Sequence, residues 1–353
     1  MFFGRLISGD RPGSPLLAIV LIAILLGLAF APFLFPGTRS LDTAARICIF
    51  IALAASYDLL LGYTGIVSFA HVMFFGIGAY GAALGLDGLG RGFGSIAIGA
   101  AGGAAAAAAL AFVIGLFSLR VRAIFFAMIT LAVASAFAVM VSQFSDITGG
   151  EDGFSFKVPR ELTPAFKIAD GKLFGVSLNG KLLLYYFVFT GCLLLFLALL
   201  RVVNSPFGRV LQAIRENDFR AEAIGFRVVR YRIAATCLSA VAAALAGSLF
   251  AVWLRYAGPD AVLSFEIMVD VLLMVVIGGM GTMWGAVIGA TLFVIAQSYL
   301  REVMGALSDA TEGAPLLPDL FNPDRWLLWL GVIFVLSVYF FPTGVVGRLR
   351  GKD

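Results

Sequence analysis

Runs of about twenty apolar residues recur from one end of the chain to the other. Ten can be marked, at 16–35, 43–62, 66–86, 95–117, 123–145, 183–201, 233–256, 263–280, 284–304 and 326–345. Each can cross a hydrocarbon core of about 30 Å as a helix. With 61% of residues hydrophobic and 13% charged, a water-soluble domain could not hide so much apolar surface, and the bilayer becomes the solvent. The expectation is an all-α polytopic membrane protein, a single domain over 1–353 with about ten transmembrane or half-membrane helices. Glycines and very short links break up the third, eighth and ninth runs, which suits half-helices or re-entrant segments. Arg5 and Arg11 before the first run, and Ala29-Phe30-Ala31 within it, mimic a signal peptide. The run is long enough to span, however, and Pro32 would directly follow the cut, so it reads as an uncleaved first span.

Loop charge sets the orientation. Arg120 and Arg122 follow the fourth run, an arginine-rich segment follows the sixth, and Arg348, Arg350 and Lys352 follow the tenth. Ten crossings from an inside N-terminus put all of these, and both termini, in the cytoplasm. Residues 146–182 then form an external loop, and so does 306–325, with Asp309, Glu312, Asp319 and Asp324. Five runs precede the first external loop and five follow it. An odd number makes any repeat of the two five-helix halves inverted. The net charge of +4 is scattered between apolar runs, so it argues for topology and against nucleic acid. Cys48, Cys192 and Cys237 all lie within apolar runs, giving neither a disulfide framework nor metal-ligand spacing.

One polar island interrupts this pattern: Ser205–Arg232, within the cytoplasmic segment 203–232. It carries Arg209, Arg215, Arg220, Arg227, Arg230 and Arg232 against Glu216, Asp218 and Glu222. Val210, Leu211, Ile214 and Phe219 are spaced to give a helix one apolar side. A membrane domain would present a helix to a soluble machine in this way. Positive-inside topology alone is the simpler explanation of its charge.

Ionisable residues inside spans are costly and should face a bundle interior or water. Asp58, Glu266 and Asp270 stand out, the last two four apart on one helical face. They could hold a cation or relay protons; equally, Asp58 and Glu266 lie near helix ends. His71, the only histidine, has no Cys or acid at i±4 to complete a metal site, so a hydrogen bond within the bundle is expected. Glycines at four-residue spacing, such as Gly281, Gly285 and Gly289, suit close helix packing. The breaks Gly62-Tyr63-Thr64-Gly65 and Gly278-Gly279-Met280-Gly281 could instead hinge helices along a pathway, with Ser68 beside the first. Thr148-Gly149-Gly150-Glu151-Asp152-Gly153 reads as a loop entry or as a docking surface for an external protein. Nucleotide-binding and hydrolase motifs (GxxxxGK[ST], HExxH, CxxC) are missing.

Several blocks together resemble the permeases of branched-chain amino acid ABC importers, a type also used for amides and urea. The first runs Leu59-Leu60-Leu61-Gly62-Tyr63-Thr64-Gly65 through Ser68 and His71 to Phe74-Phe75-Gly76-Ile77-Gly78-Ala79-Tyr80. The second is Thr148-Gly149-Gly150 leading to Gly153. The third runs Ala213-Ile214-Arg215-Glu216-Asn217 through Ala221-Glu222-Ala223-Ile224-Gly225 to Tyr231, and the last is Gly278-Gly279-Met280-Gly281-Thr282 with Gly285 through Gly289. The resemblance covers roughly 40 to 345. It implies a transport subunit of a bacterial inner membrane, not an enzyme. Its partners would be a second homologous permease, two cytoplasmic ATP-binding subunits that hold the ATP and Mg, and a periplasmic substrate-binding protein. This chain would bind no cofactor. The island becomes the ATPase-coupling segment, with Arg209, Arg215, Glu216, Asp218, Arg220, Glu222 and Gly225 as candidate contacts. ABC importers generally have Glu-Ala-Ala and then Gly after three more residues; here Gly225 follows Glu222-Ala223 with only Ile224 between. Asp58, Gly62, Gly65, Ser68, His71, Glu266, Asp270, Gly278, Gly279 and Gly281 are the candidate translocation pathway. The same machine carrying urea or short amides is the alternative, followed by an ion-coupled secondary transporter using Asp58, Glu266, Asp270 and His71. A channel or purely structural subunit would show no energy dependence, and an intramembrane enzyme lacks an assembled nucleophile–base pair.

Overall fold

The computed structural model describes residues 14–35, 37–118, 123–173, 176–310, 321–341 and 343–349. Arg5, Arg11, Arg120, Arg122, Glu312, Asp319, Arg350 and Lys352 lie outside them. The first half consists of α1 (Pro15–Ala29), α2 (Thr38–Thr64), α3 (His71–Gly88), α4 (Phe93–Ser118) and α5 (Ala123–Gln143). Next come β1 (Phe154–Ser155), β2 (Lys167–Leu173) and β3 (Val176–Asn179). Then follow α6 (Gly180–Val203), α7 (Pro206–Glu216), α8 (Asp218–Ala223) and α9 (Val228–Leu254). The chain continues with β4 (Tyr256–Ala257), α10 (Phe265–Gly278), α11 (Met283–Ala310), α12 (Trp326–Phe340) and α13 (Gly344–Leu349).

Eight helices among the described residues are long and apolar enough to cross a membrane. The 15-residue α1, another apolar helix, and the 18-residue α3 account for the other two runs. Local chemistry sets several ends. Ser14 caps α1, its hydroxyl accepting the Leu17 N–H at 3.3 Å, with Pro15 at the first helical position. Gly65 ends α2 at φ 72°, a left-handed cap. The third run is helical only from His71, after a non-helical stretch at 65–70. The ninth run is an unbroken 28-residue helix, not a re-entrant one. Its Gly285 and Gly289 face the backbone of α10 rather than interrupting α11.

Contacts between helix ends sort them onto two faces. On one, Ser14 meets Leu349, Gly344 lies against Gly279, and the 62–65 break meets the island. On the other, Trp253 Nε1 donates to Asp42 Oδ1 at 2.8 Å, Arg39 pairs with Glu302, and Tyr185 donates to the Leu28 carbonyl at 2.6 Å. This grouping puts the two ends of α1 on opposite faces, and likewise the two ends of α2, as helices that cross would require. The 146–182 segment is built rather than loose. β2 and β3 form an antiparallel hairpin, and β1 pairs with β4, Phe154 opposite Ala257. Residues 306–310, expected in a loop, are the end of α11, and Arg301 reaches Asp324 at 3.2 Å.

The core centres on α2 and α9. α2 packs against α6, α9, α10 and α11; α9 packs against α2, α3, α4 and α6. Small residues let backbones approach. Gly78 lies against the Ala244 backbone, Gly247 against the Phe75 carbonyl, and Gly81 and Gly85 face Gly99 and Gly103 of α4.

Candidate functional site

The island folds as two short helices on the face that also carries Ser14 and Leu349. Ser205 caps α7, accepting the Gly208 N–H at 3.4 Å. α7 buries Gly208, Leu211 and Ile214 and exposes Arg209, Arg215 and Glu216, so its amphipathic spacing is realised. Asn217 is extended (φ −163°, ψ 103°); it ends α7 and caps α8 by accepting the Arg220 N–H at 2.9 Å. Sequence spacing put Phe219 on the apolar side of α7. The break at Asn217 instead turns it outward, 84% exposed, with Ile224 71% exposed nearby. Ile214, Ala221 and Val228 make a small core of their own, and Arg232 sits 3.6 Å from Asp218. Gly225, exposed at φ 96°, lies just past α8. The exposed rim of the island thus includes Arg209, Glu216, Asp218, Phe219, Arg220, Glu222 and Ile224.

Arg215, although exposed, reaches back to the end of α2. Its guanidinium donates to the Gly62 carbonyl, and its Cγ lies against Gly65. A Cβ on Gly281 would sit 2.5 Å from the same guanidinium and 2.9 Å from the Gly62 carbonyl oxygen. Gly281 also has φ 82°, which non-glycine residues rarely adopt. From the membrane side, the fully buried Asp58 accepts the Gly281 N–H at 2.8 Å through Oδ1. A Cβ on Gly62 would collide with both the Asp58 carboxylate and the Gly281 nitrogen. The two glycine breaks, more than two hundred residues apart, therefore form one junction. It joins the ends of α2 and α10 to α7. Gly278 and Gly279 complete it, lying against Gly285 and Gly344.

The other candidates lie elsewhere. Ser68 and His71 are buried above the junction. His71 Nε2 is 2.8 Å from Ser56 Oγ and its Nδ1 is 3.5 Å from Ser239 Oγ, a bridge among α2, α3 and α9. Glu266 is exposed at the far end of α10. Asp270, half-buried, accepts from Gln297 Nε2 of α11 at 3.2 Å. Eight residues separate it from Gly278, about 12 Å along the helix. The candidate pathway residues thus divide into a junction beside the island, a buried histidine bridge and a carboxylate pair toward the opposite face. Gln297, Ser56 and Ser239 carry no sequence signal of their own. The outward turn of Phe219, by contrast, was legible in Asn217-Asp218, a helix-start pair. Among the described residues, no three of His, Cys, Asp or Glu stand close enough to hold a metal ion.

Residues 40–338 match the model of a family described as branched-chain amino acid transport system / permease component. Over 345 residues the chain is 27% identical to the high-affinity branched-chain amino acid transport system permease protein LivM of Salmonella typhimurium, covering 94% of this chain and 75% of that one. The protein of the same name in Escherichia coli is 27% identical over 352 residues, 96% of this chain and 77% of that one. A probable branched-chain amino acid transport permease protein LivM of Methanocaldococcus jannaschii is 30% identical over 155 residues, 43% of each chain. No solved structure matches the chain.

Proposed function

The chain belongs to the family of branched-chain amino acid transport permease components, and from that premise we propose that it is the membrane-spanning subunit of an ATP-driven importer. A second, homologous permease completes the pathway. Two ATPase subunits dock on the cytoplasmic island, and an external binding protein delivers branched-chain amino acids. Urea or a short amide is the alternative cargo. The multi-pass fold suits the inner membrane of a bacterium.

One observation carries the mechanism: Arg215 joins α7 to the break that ends α2, and Asp58 joins that break to the one that ends α10. The outer rim of the island grips the ATPases. Closure of the ATPases on ATP displaces α7, and Arg215 passes the movement to Gly62 and Gly281. The helices on either side then rock as rigid bodies about glycine breaks, opening the pathway to one side at a time. Affinity for substrate resides in the external protein, so the pathway needs no tight pocket. Asp58 acts as a buried clamp rather than an ion-coupling group, and His71 as a brace within the bundle.

Uptake of labelled leucine by cells carrying Arg215→Glu with Glu222→Arg tests this reading. Uptake should fall severalfold while the amount of chain in the membrane is unchanged. Wild-type uptake in that variant would remove the island from the mechanism.

A further inference from the structure

The first helix is held at its two ends, and between them only one side of it, through Leu21 and Ile24, touches the bundle. At the outer end the Tyr185 and Tyr186 hydroxyls of α6 donate to the carbonyls of Leu28 and Ala29, at 2.6 and 2.9 Å. At the inner end Leu17 is buried against Ile288 and Val346, and Ser14 Oγ donates to the Leu349 carbonyl at 2.5 Å. Between these attachments a cleft of about 480 Å³ separates α1 from α2, α6 and α11. Its lining is almost wholly apolar, and the exposed Ile22 and Leu25 stand at its edge. Water would find no partners there, and an empty cleft would forfeit dispersion contacts along both walls. The occupant must be apolar and enter from the side.

The wall contributed by α6 shows what lies at its inner end. Phe189, Cys192, Leu193, Phe196, Leu197 and Leu200 line the cleft at helical spacing. Arg201 follows Leu200 directly and flanks that stripe on the side of Leu197. Its side chain is exposed and makes no hydrogen bond or ion pair among the described residues. The α6 wall of the apolar cleft thus ends one residue short of an unpaired cation. We propose that the cleft holds an acyl chain of an anionic phospholipid, whose phosphate is bound by Arg201. A phosphate supplies acceptors to the guanidinium. A helix from another subunit would present side chains to the cleft but no phosphate to Arg201.

Trp284 lines the cleft and reports on its contents. The full chain and its Trp284→Phe variant are reconstituted in vesicles containing brominated phosphatidylglycerol or brominated phosphatidylcholine. The difference in their fluorescence isolates Trp284. Quenching should be half-maximal at a mole fraction of the anionic lipid about fivefold lower than of the zwitterionic one. Arg201→Gln should erase that preference. Equal quenching by both lipids would overturn the phosphate site, and no quenching by either would show the cleft covered by protein. Lipid extracted from the gently purified chain gives a second reading. Phosphatidylglycerol should be enriched over phosphatidylethanolamine with wild type and not with Arg201→Gln. Equal ratios in the two would contradict the proposal.

Discussion

Three residues at the junction have tasks that few other side chains could perform. Gly62 must lack a Cβ because Asp58 and the Gly281 nitrogen fill that space. Gly281 must accept a left-handed backbone and a guanidinium at its Cα. Asp58 must offer a buried acceptor to the Gly281 N–H. Replacing it with Ala leaves that donor short of a partner, at a cost of about 1–3 kcal/mol. Asp58→Ala should therefore lower the melting temperature of the purified chain in detergent. Asp58→Asn, which keeps an oxygen, should lower it less. Equal melting for all three chains would remove Asp58 as a clamp. Little of this was readable in advance. Asp58 and both glycine breaks stood out in the sequence, Asp58 as a costly charge in a span and the glycines as chain breakers. Their meeting depends on a contact across 223 positions, which no local spacing encodes.

For the elements, the length of each apolar run was enough to find all eight helices that, among the described residues, are long and apolar enough to cross a membrane. What they missed is how glycines are used. The run at 284–304 looked interrupted, yet α11 is continuous because its glycines lie on one face, against α10. A Cβ at Gly285 would lie 2.6 Å from the Gly279 carbonyl oxygen. Gly285→Leu should push α11 from α10 and yield a chain that aggregates on size-exclusion chromatography. A monodisperse, full-yield variant would show that face to be open to lipid. Phe219 illustrates the converse error: a spacing argument carried through Asn217 as though one helix continued.

For the molecule as a whole, the helix pairings of one half recur in the other. α3 packs on α4 and α5, and α4 on α5; α10 packs on α11 and α12, and α11 on α12. α9 covers α3 and α4 as α2 covers α10 and α11. α2 ends in a left-handed cap at Gly65, and α9 ends in another at Arg255, φ 59°. α2 ends on the face that carries the island and α9 begins there, so corresponding helices run in opposite senses. This is the geometry of an inverted repeat. Membrane-impermeant maleimide should label Glu222→Cys only in inverted vesicles and Asp152→Cys only in right-side-out ones. Labelling of both from one side would break the ten-span topology.

In the proposed function this chain is one subunit of an ATP-driven machine, gripped through its island. The most direct measurement is gentle purification of the tagged full chain from its own membranes, with identification of what accompanies it. Two ATPase subunits and a second permease should be recovered with it. A chain that purifies alone and still moves solute in proteoliposomes under an ion gradient would contradict the account, and would turn attention to Glu266 and Asp270.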